Sequence, residues 1–130
     1  MTRIVGIVLV SHSAELAAGL RELLLQVGGE SLTIEVAGGD HEGGIGTSYD
    51  LVRAAIEKAD GGAGVLVLPD LGSSVLTARA VLDDHPTPGA VVVDTPFVEG
   101  AMAAAVIAAT GADLAAAVAA AEEARDVRKL

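Results

Sequence analysis

Two apolar runs constrain this chain more than anything else in it: Ile4 to Val10 and Gly64 to Pro69. Each has strand length, is rich in β-branched residues and shows no alternation of polar and apolar positions. A strand exposed on one face alternates, so an unbroken run predicts a strand covered on both faces, as in a parallel sheet. Leu32 to Ala37 does alternate and reads as an edge strand with one wet face, and Ala90 to Val93 reads as a short fourth strand.

Helical patterns fill the gaps. Ala14 to Val27 places Leu16, Leu20, Leu23, Leu24 and Val27 on one stripe, with Ser13 as N-cap and Gly28-Gly29 as the stop. A second helix runs from Ser48 to Ala59, capped by Thr47 with Asp50 three residues on. A third covers Ser74 to Asp83. Thr95-Pro96 opens a fourth that ends at Gly111, and Asp113 caps an alanine-rich fifth that runs to Arg128. Strands separated by helices imply right-handed crossovers. The expectation is an α/β fold: a four-stranded parallel sheet of order 2-1-3-4, with helices on both faces. With 130 residues and no visible linker, repeat or low-complexity tail, residues 1–130 read as a single domain.

Composition excludes several functions. Eight basic against 18 acidic residues give a net charge of −10, which repels a phosphate backbone and disfavours nucleic-acid binding. A basic protein partner fits such a surface better. The absence of cysteine removes disulfides, thiol catalysis and Cys-ligated metals. Ile4 to Val10 is far shorter than the ~20 residues a membrane span needs. After Arg3 it could pass for the core of a signal peptide, but Ser11 to Ala14 makes a poor cleavage site and a helix follows at once. No membrane association is expected, and the cytoplasm is the expected compartment.

In open parallel sheets ligands bind beyond the carboxyl ends of the strands, where the strand order reverses. That point lies between the first and third strands, which end in Ser11-His12-Ser13 and Asp70-Leu71-Gly72-Ser73-Ser74. His12 is the leading candidate. A neutral imidazole is a nucleophile near neutral pH, and a helix N-terminus beside it favours an anion. Asp70 on the adjacent strand is placed to accept the other ring N–H, fixing the tautomer. The bland reading is a histidine that bonds a loop carbonyl.

Gly43 to Ser48 lacks the G-x-G-x-x-G and Gly-Lys-Ser/Thr signatures, so it is not a nucleotide loop. Glycine there allows close backbone approach to a phosphoryl group, with Thr47 or Ser48 donating a hydroxyl; a loop without chemical role is the alternative. His41, within Asp40-His41-Glu42, suggests a metal cluster, but three consecutive residues rarely point at one ion, and no metal is expected. His85 belongs to the opposite rim. Asp70 also suits the phosphoacceptor of a receiver domain. That reading needs an acidic pair after the first strand, where Ser11-His12-Ser13 stands, and a lysine at the end of a later strand, and no lysine here is suitably placed.

The chain resembles the IIA-type domain of DhaM, the phosphotransfer subunit of phosphotransferase-system-dependent dihydroxyacetone kinases. The likeness is carried by Val8 to Ser13, Gly44-Ile45-Gly46-Thr47-Ser48, Asp70-Leu71-Gly72-Ser73 and Pro96 to Ala101, in that order along nearly the whole chain. It implies that His12 takes a phosphoryl group from phospho-HPr, itself charged from phosphoenolpyruvate by enzyme I. The group then passes to ADP held on the partner subunit DhaL, and the ATP formed there phosphorylates dihydroxyacetone on DhaK. No cofactor on this chain is implied. Ser13, Gly46, Thr47, Ser48 and Ser73 are the candidate phosphoryl-binding residues. Mannose-family IIA domains, the related sugar-transport components, use an equivalent histidine and are dimers, so a homodimer is expected. Those domains typically show Thr-His-Gly and Gly-Gly-Ser-Pro, from which Ser11-His12-Ser13 and Gly72-Ser73-Ser74 depart toward the kinase branch. Some members carry HPr-like and enzyme-I-like domains on the same chain; with the sequence ending at Leu130, a separate HPr is expected.

Overall fold

The structure, a computed structural model, describes residues 4–130, so Arg3 lies outside it. Its order is β1 (Gly6–Ser11), α1 (Ala14–Gly28), β2 (Thr33–Gly38), α2 (Tyr49–Ala59), β3 (Val65–Pro69), α3 (Gly72–Asp84), β4 (Ala90–Val92), α4 (Phe97–Ala108) and α5 (Leu114–Glu123), with a closing 3-10 turn at Ala124–Asp126. The four strands form one parallel sheet in the order β2-β1-β3-β4, as the apolar patterns predict.

Both faces of the central strands are covered, which is why their sequences do not alternate. On one face Ile7, Leu9, Leu66 and Leu68 meet Leu20 and Leu24 of α1 and the alanines of α4 and α5. On the other, Val8, Val10, Val65 and Val67 meet Val52 and Ile56 of α2 and Ala78 and Val81 of α3. In α4, Ala101, Ala104, Ala105 and Ala108 are fully buried, as are Ala117 and Ala121 of α5. These small side chains therefore serve close helix packing within the chain.

Three local readings change. Leu20 and Leu24 of α1 are buried, whereas Leu16, Leu23 and Val27 are 43–55% exposed, because the inward stripe is narrower than the run of leucines. Ser48, not Thr47, caps α2 by accepting from the Leu51 amide at 3.2 Å; the Thr47 hydroxyl is engaged with that of Thr77 on α3 at 3.0 Å. Pro96 occupies the N-cap position of α4, since the Thr95 hydroxyl donates to the Ala121 carbonyl and ties α5 to the start of α4.

The amino end of β1 lies hard against the end of α2. A methyl group at Gly6 would run into the backbone carbonyl of Ala59, which has no flexible side chain to move aside. Gly6→Ala is expected to lower unfolding stability by about 1–3 kcal/mol, seen as a lower denaturant midpoint at constant slope. Gly19→Ala, on the open face of α1 with nothing within 4 Å of the new methyl, is expected to raise stability by about 0.5–1 kcal/mol.

Candidate functional site

Adjacent parallel strands bring the chemistry together. Val10 of β1 pairs with Pro69 of β3, so Ser11-His12 and Asp70 leave the sheet side by side, and the Asp70 amide donates to the Val10 carbonyl at 2.9 Å. The Asp70 carboxylate is then surrounded by donors. Oδ2 accepts from the Ser11 hydroxyl at 2.9 Å and the His12 amide at 3.0 Å. Oδ1 accepts from the His12 ring at Nδ1 (2.9 Å), the Ser74 hydroxyl (2.7 Å) and the Leu71 amide (2.7 Å). The side chain is only 7% exposed. Burial alone would raise its pKa, but the bonds from Ser74, from the His12 amide and ring, and from Ser11 outweigh that and lower it to about 2.

An ionised carboxylate can only accept, so the neutral His12 ring carries its hydrogen on Nδ1 and presents the Nε2 lone pair outward. Nε2 meets the hydroxyl of Ser73, in the first turn of α3. The ring side chain is 22% exposed. Nε2 therefore faces the start of α3. Leu71, the N-cap of α3, supplies no side-chain cap, and the amides of Gly72 and Ser73 have no acceptor among the described residues. Such an N-terminus is an exposed set of donors at the positive end of the helix dipole.

The other candidates are placed differently. The Ser13 hydroxyl caps α1 by accepting from the Leu16 amide at 3.2 Å. The Gly46 amide donates to the His12 carbonyl at 2.9 Å, in a conformation (φ +149°) that suits glycine. Thr47 and Ser48 are engaged as described above. Of the five candidates only Ser73 touches the ring. Sequence reasoning did not single out Ser11 and Ser74, which anchor Asp70. Both stand in the loops that converge there, yet nothing in the sequence separates a hydroxyl that binds Asp70 from one that caps a helix.

The remaining histidines lie elsewhere. His41 is 77% exposed beside Glu42, while Asp40 folds the loop by accepting from the Glu42 and Gly44 amides at 2.9 and 2.8 Å. Among the described residues no group of three or more His, Asp or Glu side chains is arranged to hold a metal. His85 follows α3 at the far rim, edge-on to Tyr49.

Comparison with known proteins places the chain in a family. The family model EIIA-man, described as the PTS system fructose IIA component, matches residues 6–118. A Listeria innocua protein named as phosphoryl donor subunit DhaM of PEP-dependent dihydroxyacetone kinase 2 is 33% identical over 105 residues, covering 78% of this chain and 84% of that one. A Lactococcus lactis protein named as phosphotransferase subunit DhaM of a PTS-dependent dihydroxyacetone kinase is 36% identical over 107 residues, covering 82% and 85%. The Escherichia coli K12 DhaM is 40% identical over 116 residues, and there the match spans only 25% of the longer relative. A crystal structure of a protein of unknown function, EF1359, superposes with a TM-score of 0.82 at 34% identity, covering 90% of this chain and 92% of that one. The chain therefore belongs to the EIIA-man family and, within it, to the DhaM phosphoryl donor subunits.

Proposed function

We propose that this chain is the phosphoryl carrier of a phosphoenolpyruvate-dependent dihydroxyacetone kinase, loaded at His12 Nε2 by phospho-HPr and unloaded onto ADP held by a DhaL subunit. The observation that carries this reading is the division of labour on one ring: Nδ1 is held by Asp70 and Nε2 faces Ser73 and the uncapped start of α3. Mannose-type sugar transport would share the loading step, but the relatives named above are kinase subunits.

Loading forms a bond from Nε2 to phosphorus as the bond to the donor's histidine breaks, in line. The imidazole gains positive charge, which the ionised Asp70 stabilises through Nδ1–H. The Ser73 hydroxyl and the Gly72 and Ser73 amides are the donors for the equatorial oxygens, so the protein contributes position and dipoles. Gly46 steadies the His12 backbone, while Ser13, Thr47 and Ser48 support the loops and helix starts around it. Unloading reverses the sequence, with a β-phosphate oxygen of ADP as nucleophile. Residues 1–130 act as one domain in the cytoplasm, and the net charge of −10 favours carriers with a basic face. Two copies associate through the apolar groove between α4 and α5, lined by Val98, Met102, Ala103, Val106, Ala120 and Val127. Its aliphatic lining is of the kind found at homodimer cores.

Incubation with phosphoenolpyruvate, enzyme I and HPr is expected to add one acid-labile, alkali-stable phosphoryl group, absent from His12→Gln; normal labelling of that variant rejects the assignment. Asp70→Asn is expected to keep the fold and slow transfer by ~10- to 100-fold, less than the ~10⁴ seen when a protease triad loses its aspartate, because no hydroxyl proton has to be removed. The same variant tests the carboxylate itself. A folded-state pKa of about 2 against an ordinary 3.8 means that ionised Asp70 stabilises the fold above about pH 4, and that this is lost as pH falls from 4 toward 2. The shift corresponds to about 2 kcal/mol, so Asp70→Asn should flatten the acid limb of the stability curve across that window. Sedimentation equilibrium is expected to give a dimer at micromolar concentration, and Met102→Glu in the groove to give a monomer.

A further inference from the structure

We propose that the unphosphorylated protein has a second chemistry: Ser73, His12 and Asp70 form a Ser–His–Asp triad able to cleave small activated esters through an acyl intermediate on Ser73. The inference goes beyond phosphoryl transfer and does not depend on it. Three contacts carry it. The Ser73 hydroxyl meets His12 Nε2, the His12 Nδ1–H donates to Asp70 Oδ1 at 2.9 Å, and Asp70 is itself fixed by Ser11, Ser74 and two backbone amides. These are the three roles of a serine nucleophile, its base and the group that orients the base, which recur on unrelated folds. Ser73 also stands where a strand turns into a helix, and its own amide and that of Gly72 are free to receive an oxyanion. Next to it, starting at Leu71 and Gly72, lies a cavity of about 340 Å³ walled by Val75, Val92 and Val93 and by the polar Arg79, Asp94 and Thr95, with room for a small ester.

The reaction balances without further components. Ser73 Oγ bonds to the ester carbonyl carbon while His12 Nε2 takes the hydroxyl proton. The carbon–oxygen bond to the alcohol breaks, and the alcohol leaves with that proton. Water then attacks the acyl-serine with the same base, releasing a carboxylic acid and restoring Ser73. Phosphorylation of Nε2 removes the base, so each chain performs one chemistry at a time.

The test uses the whole chain without any phosphoryl donor. A fluorophosphonate probe is expected to attach once per folded chain, with loss of fluoride, and peptide mass mapping should place the adduct on Ser73. Protein unfolded in urea should not react, and Ser73→Ala should carry no adduct. His12→Gln, shown to be folded by circular dichroism, should label at less than about a tenth of the wild-type rate, since a triad without its base loses orders of magnitude. Hydrolysis of p-nitrophenyl butyrate should fall at least ~10-fold once Ser73 is blocked. No adduct, an adduct at another residue, equal labelling of His12→Gln or of unfolded protein, or ester hydrolysis unchanged by the block would each overturn the proposal.

Discussion

Where β1 and β3 leave the sheet, a single carboxylate joins both strands, the following helix and the His12 ring. Asp70 accepts from Ser11 and His12 on one side and from Leu71 and Ser74 on the other. Burial of an ionised group is unfavourable unless donors surround it, and here they do. The same bonds hold His12 in one tautomer and bring α3's first turn against Nε2. Neutralising or removing this charge would loosen the tautomer, the ring orientation and the approach of Ser73 together.

The electrostatics of the site follow from that economy. Among the described residues no lysine or arginine contacts the His12 ring. Positive potential for an anion comes instead from the dipole of α3 and its unspent amides. A carrier has to release what it binds, and neutral donors hold a phosphoryl group less tightly than a bidentate arginine would. With no competing cation, the Ser73 hydroxyl meets the imidazole directly.

Much of this was readable in one dimension because burial on both faces writes itself as uninterrupted Val, Ile and Leu. The runs ending at Val10 and Pro69 announced central parallel strands, alternation at Leu32 to Ala37 announced an edge, and together they fixed the strand order. Placing His12 and Asp70 at the carboxyl ends of neighbouring strands followed from that order alone. What stayed hidden was the use of each hydroxyl. Ser11, Ser13, Ser48, Ser73 and Ser74 look alike in sequence, yet one caps α1, one caps α2, two bind Asp70 and one meets the ring at Nε2. A serine's partner depends on a rotation of a few tenths of a turn and on which helix start is within 3 Å, and neither leaves a trace in composition.

The sequence by itself determined the elements, the sheet order and the rim that His12 and Asp70 share, since periodicity and strand-end geometry are properties of the chain read locally. Tertiary structure decided which nitrogen of His12 is presented and which helix start it faces. It also decided that the leucine stripe of α1 is only partly covered, by small alanines of α4. Those outcomes depend on distances between segments some sixty residues apart, such as His12 and Asp70. They are settled only when both faces of the sheet are packed and each buried polar group has found its partner.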